Sequence, residues 1–150
     1  MPSPGEAHQS ANRWFIYCLT HHVQLAGNGY VHGPPFDVEL VPNLVVQPDL
    51  IVVLSANQHV ITPSHIVGTP DLLVEIASPG AVGYDRRAKQ DAYARAGVPE
   101  YWIADPTART IEVLHLDQDM YRSLGVFQGQ ALLPSRVLPG LHVHVAHFFA

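Results

Sequence analysis

Two carboxylates sit in segments that otherwise read as buried strands. Asp49 opens "PDLIVVL" (48–54), and Glu75 lies inside "PDLLVEIA" (70–77). A carboxylate taken out of water in such a run is costly unless it is paired or bound to a cation. If the two strands pair, Asp49 and Glu75 converge on one end of a sheet. Two acids there are the oxygen donors that Mg²⁺ takes while keeping several of its waters. Asp71 shares a face with Glu75, four residues away. At roughly 3.3 Å per residue the separation is about 13 Å, too far to share one ion. Asp71 therefore reads as a strand-entry cap or an outer-shell group, and Asp49 as the better co-ligand.

The chemistry needs a cation, and the chain has one unusual candidate. Lys89 is the only lysine; the other seven of the eight cationic side chains are arginines. Its spacing puts it on one helical stripe with Asp85 and Tyr93, at i−4 and i+4. A compact ammonium at such a place balances carboxylates, orients a water or stabilises a charged phosphoryl transition state. By spacing alone, an ordinary Asp85–Lys89 surface pair is the other reading. Arg86 and Arg87 open the same helix, where they either contact phosphates or lie solvated.

These residues need elements to hold them. Residues 6–25 read as one amphipathic helix with Ala11, Trp14, Ile16, Tyr17, Cys18 and Leu25 as its apolar positions, stopped by "GNG" (27–29). "FDVELV" (36–41) alternates like a strand. "PDLIVVL" and "PDLLVEIA" read as interior strands entered through a proline, with a loop between them. "YDRRAKQDAYARAG" (84–97) has helical spacing and ends on Gly97, a C-cap residue. "EYWIAD" (100–105), "TIEVLHL" (110–116) and "MYRSLGVF" (120–127) follow as strands, the last two as a hairpin. "LPGLHVHVAHFF" closes with a short alternating strand and an apolar end. The order predicts a mixed sheet flanked by helices, α/β or α+β.

At 150 residues the chain is long enough for one domain with a real core. Apolar residues make up 47% and charged residues 14%, which excludes a disordered tail. No apolar run approaches the roughly 18 residues of a membrane span, and no signal-peptide pattern opens the chain, so a soluble, cytoplasmic protein is expected. A net charge of −5 argues against a broad phosphate-binding face, though not against a local basic patch.

Taken in order, "QPDLIVV", "PDLLVEIASPG", "YDRRAKQDAYARAGVPEYWIAD", "YRS" and "VLPGLHV" resemble the Uma-type restriction endonuclease family of the PD-(D/E)XK nuclease superfamily, from about His8 to Phe149. The succession E-x-x-S-P, D-x-x-x-K-x-x-x-Y and G-V-x-E-Y-W carries the specificity. The resemblance implies a restriction endonuclease-like fold and Mg²⁺-dependent phosphodiester hydrolysis in DNA, with Mn²⁺ as a substitute ion. Carried over, Pro48-Asp49 is the "PD" and Glu75 the second acid. Ala77 stands where the superfamily has its lysine, so Lys89 on the following helix takes that part. The Ile76 carbonyl becomes a further metal ligand, and Asp85 and Tyr93 position Lys89. Relative to the family the chain is short before its first helix, and an acid contributed early in many superfamily members has no match; Glu6 is the sole carboxylate before Asp37.

Two rival readings remain. The acidic balance favours a catalytically inactive nuclease-fold module for binding or assembly. His142, His144 and His147 have a spacing that could hold Zn²⁺ or Ni²⁺ in a histidine-based hydrolase. Cys18 reads as a core thiol, Trp102 as core, His21-His22 as a helix-end pair and Ser78 as a turn residue. Restriction-type nucleases often cut both strands as dimers, and "HFFA" serves packing or a homodimer interface.

Overall fold

Alternation along the strands decides where each side chain goes. The computed structural model describes residues 5–78 and 83–150, with the side chains of Tyr84 and Asp85 outside the described set. Among these residues the elements run α1 (Glu6–Leu19), β1 (Gly29–His32), β2 (Val38–Val41), β3 (Leu44–Val46), β4 (Leu50–Leu54), β5 (Ile66–Val67), β6 (Leu72–Ile76), α2 (Gly83–Arg95), β7 (Glu100–Asp105), β8 (Thr110–Asp117) and β9 (Met120–Gln128). They form a six-stranded sheet in the order β1-β4-β6-β7-β8-β9 and a small sheet in the order β3-β2-β5. β4 and β6 run antiparallel, whereas β6 and β7 run parallel. A parallel pair needs a crossover, and α2 supplies it.

The two interior strands are apolar throughout because both faces of the large sheet are covered. Leu50, Val52, Leu72, Val74, Ile76, Trp102 and Ala104 face α1 and the C-terminal segment. Ile51, Val53, Leu73, Tyr101 and Ile103 face the other way, against Tyr93 and Val98 and against Val38, Leu40 and Ile66 of the small sheet. By the same alternation Asp49 and Glu75 fall on the α2 face, two positions from Ile51 and Leu73.

α1 presents Ala11, Phe15, Cys18 and Leu19 inward, so Ala11 and Cys18 fall on the core as expected while Tyr17 and Leu25 do not. Tyr17 and Leu25 are 63% and 74% exposed. The helix does reach the expected stop, but Thr20–Gln24 winds as a π turn closed by the Leu25 N–H on the Thr20 carbonyl. α2 ends as expected: Gly97 has φ +85°, with Val98 N–H on Tyr93 O and Gly97 N–H on Ala94 O, the double bond of a Schellman cap. The segment between β4 and β6 is not a plain loop, since it holds a 3-10 turn (Ser55–Val60) and β5.

The expected C-terminal strand does not form. Leu141, Val143 and Val145 do point inward, but the ladder is one bridge, Leu132 with His144. A 3-10 turn (Val145–Phe149) then seats Phe148 on Phe15, ring centroids 4.4 Å apart. Apolar alternation here serves packing without a neighbouring strand.

β1 depends on a close approach. A Cβ on Gly29 would lie 2.5 Å from the Val53 carbonyl oxygen of β4. Gly29→Ala is expected to destabilise the protein by about 1–3 kcal/mol in urea unfolding. An unchanged midpoint would show that β1 can shift away from β4.

Candidate active site

Leu50 pairs with Val74 across β4 and β6, so Asp49 and Glu75 stand one step further along, opposite each other. Side chains so placed have Cβ atoms about 4.5–5.5 Å apart. Asp49 reaches β6, where its Oδ2 accepts the Ile76 N–H at 2.7 Å. Its Oδ1 lies 3.7 Å from Nε2 of His8, in the first turn of α1.

Glu75 is held from α2. Its Oε1 accepts the Tyr93 hydroxyl at 2.6 Å, and its Oε2 lies 4.0 Å from Lys89 Nζ. The Glu75 side chain is 14% exposed and that of Lys89 46%, so the lysine closes the site on its solvent side. Burial pushes the Glu75 carboxyl up to about 7, and the neighbouring charge of Asp49 adds to the rise; the Tyr93 hydrogen bond and the Lys89 charge work against it. Burial and then Glu75 drive the Tyr93 phenol far above its usual range, so it remains a donor.

Tyr93 packs edge-on against Tyr101, centroids 5.2 Å apart. The Tyr101 phenol is raised by burial and by Glu75, while the Arg86 guanidinium opposes the shift. Arg86 and Arg87 are both exposed.

The sheet end and α2 bring together Asp49, Glu75, Ile76, Lys89 and Tyr93. Tyr93 meets Glu75 directly rather than acting only on its helix neighbour. Asp71 is elsewhere: at the other end of β6 its Oδ2 accepts the Leu54 N–H at 2.7 Å and the Asn57 amide at 3.4 Å. It caps strands and does not serve the acid pair. The Asp85 side chain lies outside the described residues.

His8 and Glu100 are not marked as site or anchor residues by the sequence. His8 extends the inward stripe of α1, and a polar residue in that stripe is the signal that would have found it. Glu100 is 0% exposed and starts β7 at the far end of the sheet, beside Leu72. Among the described residues its hydrogen bonds run to Trp102 Nε1, Ser135 Oγ and the Arg136 and Val137 N–H groups. Nothing local in the sequence signals these contacts.

Residues 1–146 match the Uma2 family, described as "Putative restriction endonuclease". The chain belongs to this family. No curated protein matches it. Among solved structures it is similar to the crystal structure of "a putative nuclease belonging to DUF820 from Anabaena variabilis ATCC 29413", with a TM-score of 0.79 at 19% identity, over 99% of this chain and 83% of that one. At that identity the likeness speaks for the fold: the mixed sheet and flanking helices are shared with that structure.

In this Uma2 member the histidine-rich C-terminus does not assemble as a metal centre. His144 Nδ1 meets the Gln130 carbonyl at 2.7 Å, and its ring is edge-on to His147, 5.7 Å between centroids. Among the described residues no group of three or more His, Cys, Asp or Glu side chains is arranged to hold a metal. A site of two carboxylates stands outside that description. Two hard oxygen donors on opposed strands are a donor set that would suit a Mg²⁺ ion, which keeps waters and takes one or two carboxylates.

Proposed function

We propose that this chain is a Mg²⁺-dependent endonuclease that hydrolyses phosphodiester bonds in DNA, with Mn²⁺ as a substitute ion. The observation that carries the reading is the meeting of Asp49, Glu75 and Lys89 at one sheet end, the two acids opposed in register and the ammonium 4.0 Å from Glu75. Asp49 and Glu75, with the Ile76 carbonyl, would hold the ion. A divalent cation there supplies Lewis acidity to a phosphoryl oxygen and lowers the pKa of a water. The Ile76 N–H and the Tyr93 hydroxyl fix the two carboxylates. Lys89 presents its ammonium to the charge that develops on the phosphoryl group. Arg86 and Arg87, exposed on the first turns of α2, contact the backbone phosphates of DNA. Two copies acting together would cut both strands of a duplex.

Plasmid DNA incubated with the full chain and Mg²⁺ or Mn²⁺ is expected to be nicked or linearised, and EDTA to stop it. Lys89→Ala and Asp49→Asn should each lower cleavage by about 10²–10³-fold. Cleavage that persists at the wild-type rate in both variants rejects the assignment. The net charge of −5 favours the alternative of an inactive binding module; no Mn²⁺ binding, or binding insensitive to Asp49→Asn, would select it.

A further inference from the structure

α1 carries a polar side chain where its own pattern asks for an apolar one. His8 continues the stripe of Ala11, Phe15, Cys18 and Leu19 toward the helix start, and it is 8% exposed. A leucine there would extend the core. The imidazole instead leaves Nδ1 buried with no hydrogen-bond partner among the described residues, an arrangement that works against stability. Breaks in a local rule of this kind concentrate at functional sites.

The other ring nitrogen shows what the position is for. Nε2 faces Asp49 Oδ1 at 3.7 Å, while Oδ2 of the same carboxylate is bound by the Ile76 N–H at 2.7 Å. Asp49 is therefore hydrogen-bonded from β6 on one oxygen and approached by the His8 ring of α1 on the other. The orientation of the His8 ring is accordingly set from the Nε2 side, by Asp49.

We infer that His8 is a positioning residue of the acid site, its Nε2 fixing the rotation of the Asp49 carboxylate so that a divalent cation meets a preset oxygen. This rests on the reading of Asp49 and Glu75 as a cation-holding pair. His8 itself needs no contact with the ion or the substrate; its part requires an N–H on Nε2, which the imidazolium and the Nε2–H neutral tautomer both supply. The partner recognised through Asp49 is a hard divalent cation such as Mg²⁺ or Mn²⁺.

Two measurements on the full chain test this. In the metal-free protein, imidazole ¹⁵N spectra should show His8 as the Nε2–H tautomer or the imidazolium, and Asp49→Asn should move its signals. Calorimetric titration with Mn²⁺ should show His8→Leu binding about ten- to hundred-fold more weakly, the usual loss for a group that orients a ligand, with no fall in melting temperature. His8→Gln, whose amide can donate toward Oδ1, should recover most of that affinity. His8 signals indifferent to Asp49→Asn, wild-type Mn²⁺ affinity in His8→Leu, or a His8→Gln no better than His8→Leu each overturn the inference. Wild-type protein that binds no Mn²⁺ sinks the cation reading and the role of His8 with it, while the spectra still decide whether the His8–Asp49 contact exists. Should His8→Leu fail to fold, His8→Gln and the spectra carry the decision.

Discussion

Glu75→Gln is expected to stabilise the metal-free protein at pH 8 while abolishing cleavage. The carboxyl rises from its ordinary 4.5 to about 7 on folding, chiefly through burial. A group raised on folding contributes nothing unfavourable below the unfolded value, where both states hold the proton. Its penalty grows as pH rises from about 4.5 and is complete above 7, where the folded chain must bury the charge. One pKa unit corresponds to about 1.4 kcal/mol, so the full penalty is on the order of 3 kcal/mol. Glutamine lacks the charge and can still accept the Tyr93 hydroxyl. In urea with EDTA the variant should therefore gain on the order of 2–3 kcal/mol over wild type at pH 8, and nothing at pH 4.

Divalent cation should reverse that ranking. An ion bound to the folded state alone stabilises it by RT ln(1 + [L]/Kd), about 4.1 kcal/mol at a thousandfold excess over Kd, more than the advantage of the variant. Wild type should rise with Mn²⁺ and Glu75→Gln should not. A variant no more stable than wild type at pH 8 in EDTA would mean that Glu75 is not under electrostatic stress. A variant that responds to Mn²⁺ as wild type does would move the ion away from Glu75. Stability given up at a working site is a common feature of enzymes, and here one substitution should separate the two.

The same physics explains what the sequence disclosed. β4 and β6 announce themselves because both their faces are buried, so residues 50–54 and 72–76 are nearly all apolar and any acid beside them stands out. Alternation then places Asp49 and Glu75 on one face without further information. α2 is legible from its cap, and the β8–β9 hairpin from "DQD" between two alternating runs. α1 misleads because Trp14 and Tyr17 count as apolar, while Tyr17 lies out in solvent. β1 begins at a glycine and exists through its pairing with β4, a non-local cause that periodicity cannot register. The site follows the same division. Its acids come from local patterns and its lysine takes its part from the family resemblance, whereas His8 meets Asp49 only because α1 begins beside it.

Glu100 is the extreme case of non-local meaning, and Glu100→Ala should be the most damaging single change outside the acid site. The side chain reads as the polar start of "EYWIAD", yet it is 0% exposed and ties β7 to the segment that holds Ser135, Arg136 and Val137. Oε2 accepts from Trp102 Nε1 at 2.7 Å and Ser135 Oγ at 2.6 Å. Oε1 accepts the Arg136 N–H at 2.8 Å and the Val137 N–H at 3.2 Å. Alanine would leave these neutral donors without the carboxylate, and with each buried donor left unpaired costing about 1–3 kcal/mol the loss should be at least about 3 kcal/mol. Urea unfolding should show a loss of that size, and amide exchange should quicken at Arg136, Val137 and Leu138, whose N–H groups bind Glu100 or Ser135. Glu100→Gln separates the carboxylate from mere volume. Its oxygen can keep the two backbone N–H groups and its amide can face the Ser135 oxygen, which leaves Trp102 Nε1 unpaired at a cost of about 1–3 kcal/mol. An alanine variant within about 1 kcal/mol of wild type, no more than one ordinary hydrogen bond is worth, would show that the C-terminal segment is held by Phe148 against Phe15 and Trp102 and not by Glu100. Should alanine prevent folding, the glutamine variant decides the same point: its loss must be smaller than a cavity would cause and must appear in exchange at the C-terminal segment before the strand end that carries Asp49 and Glu75.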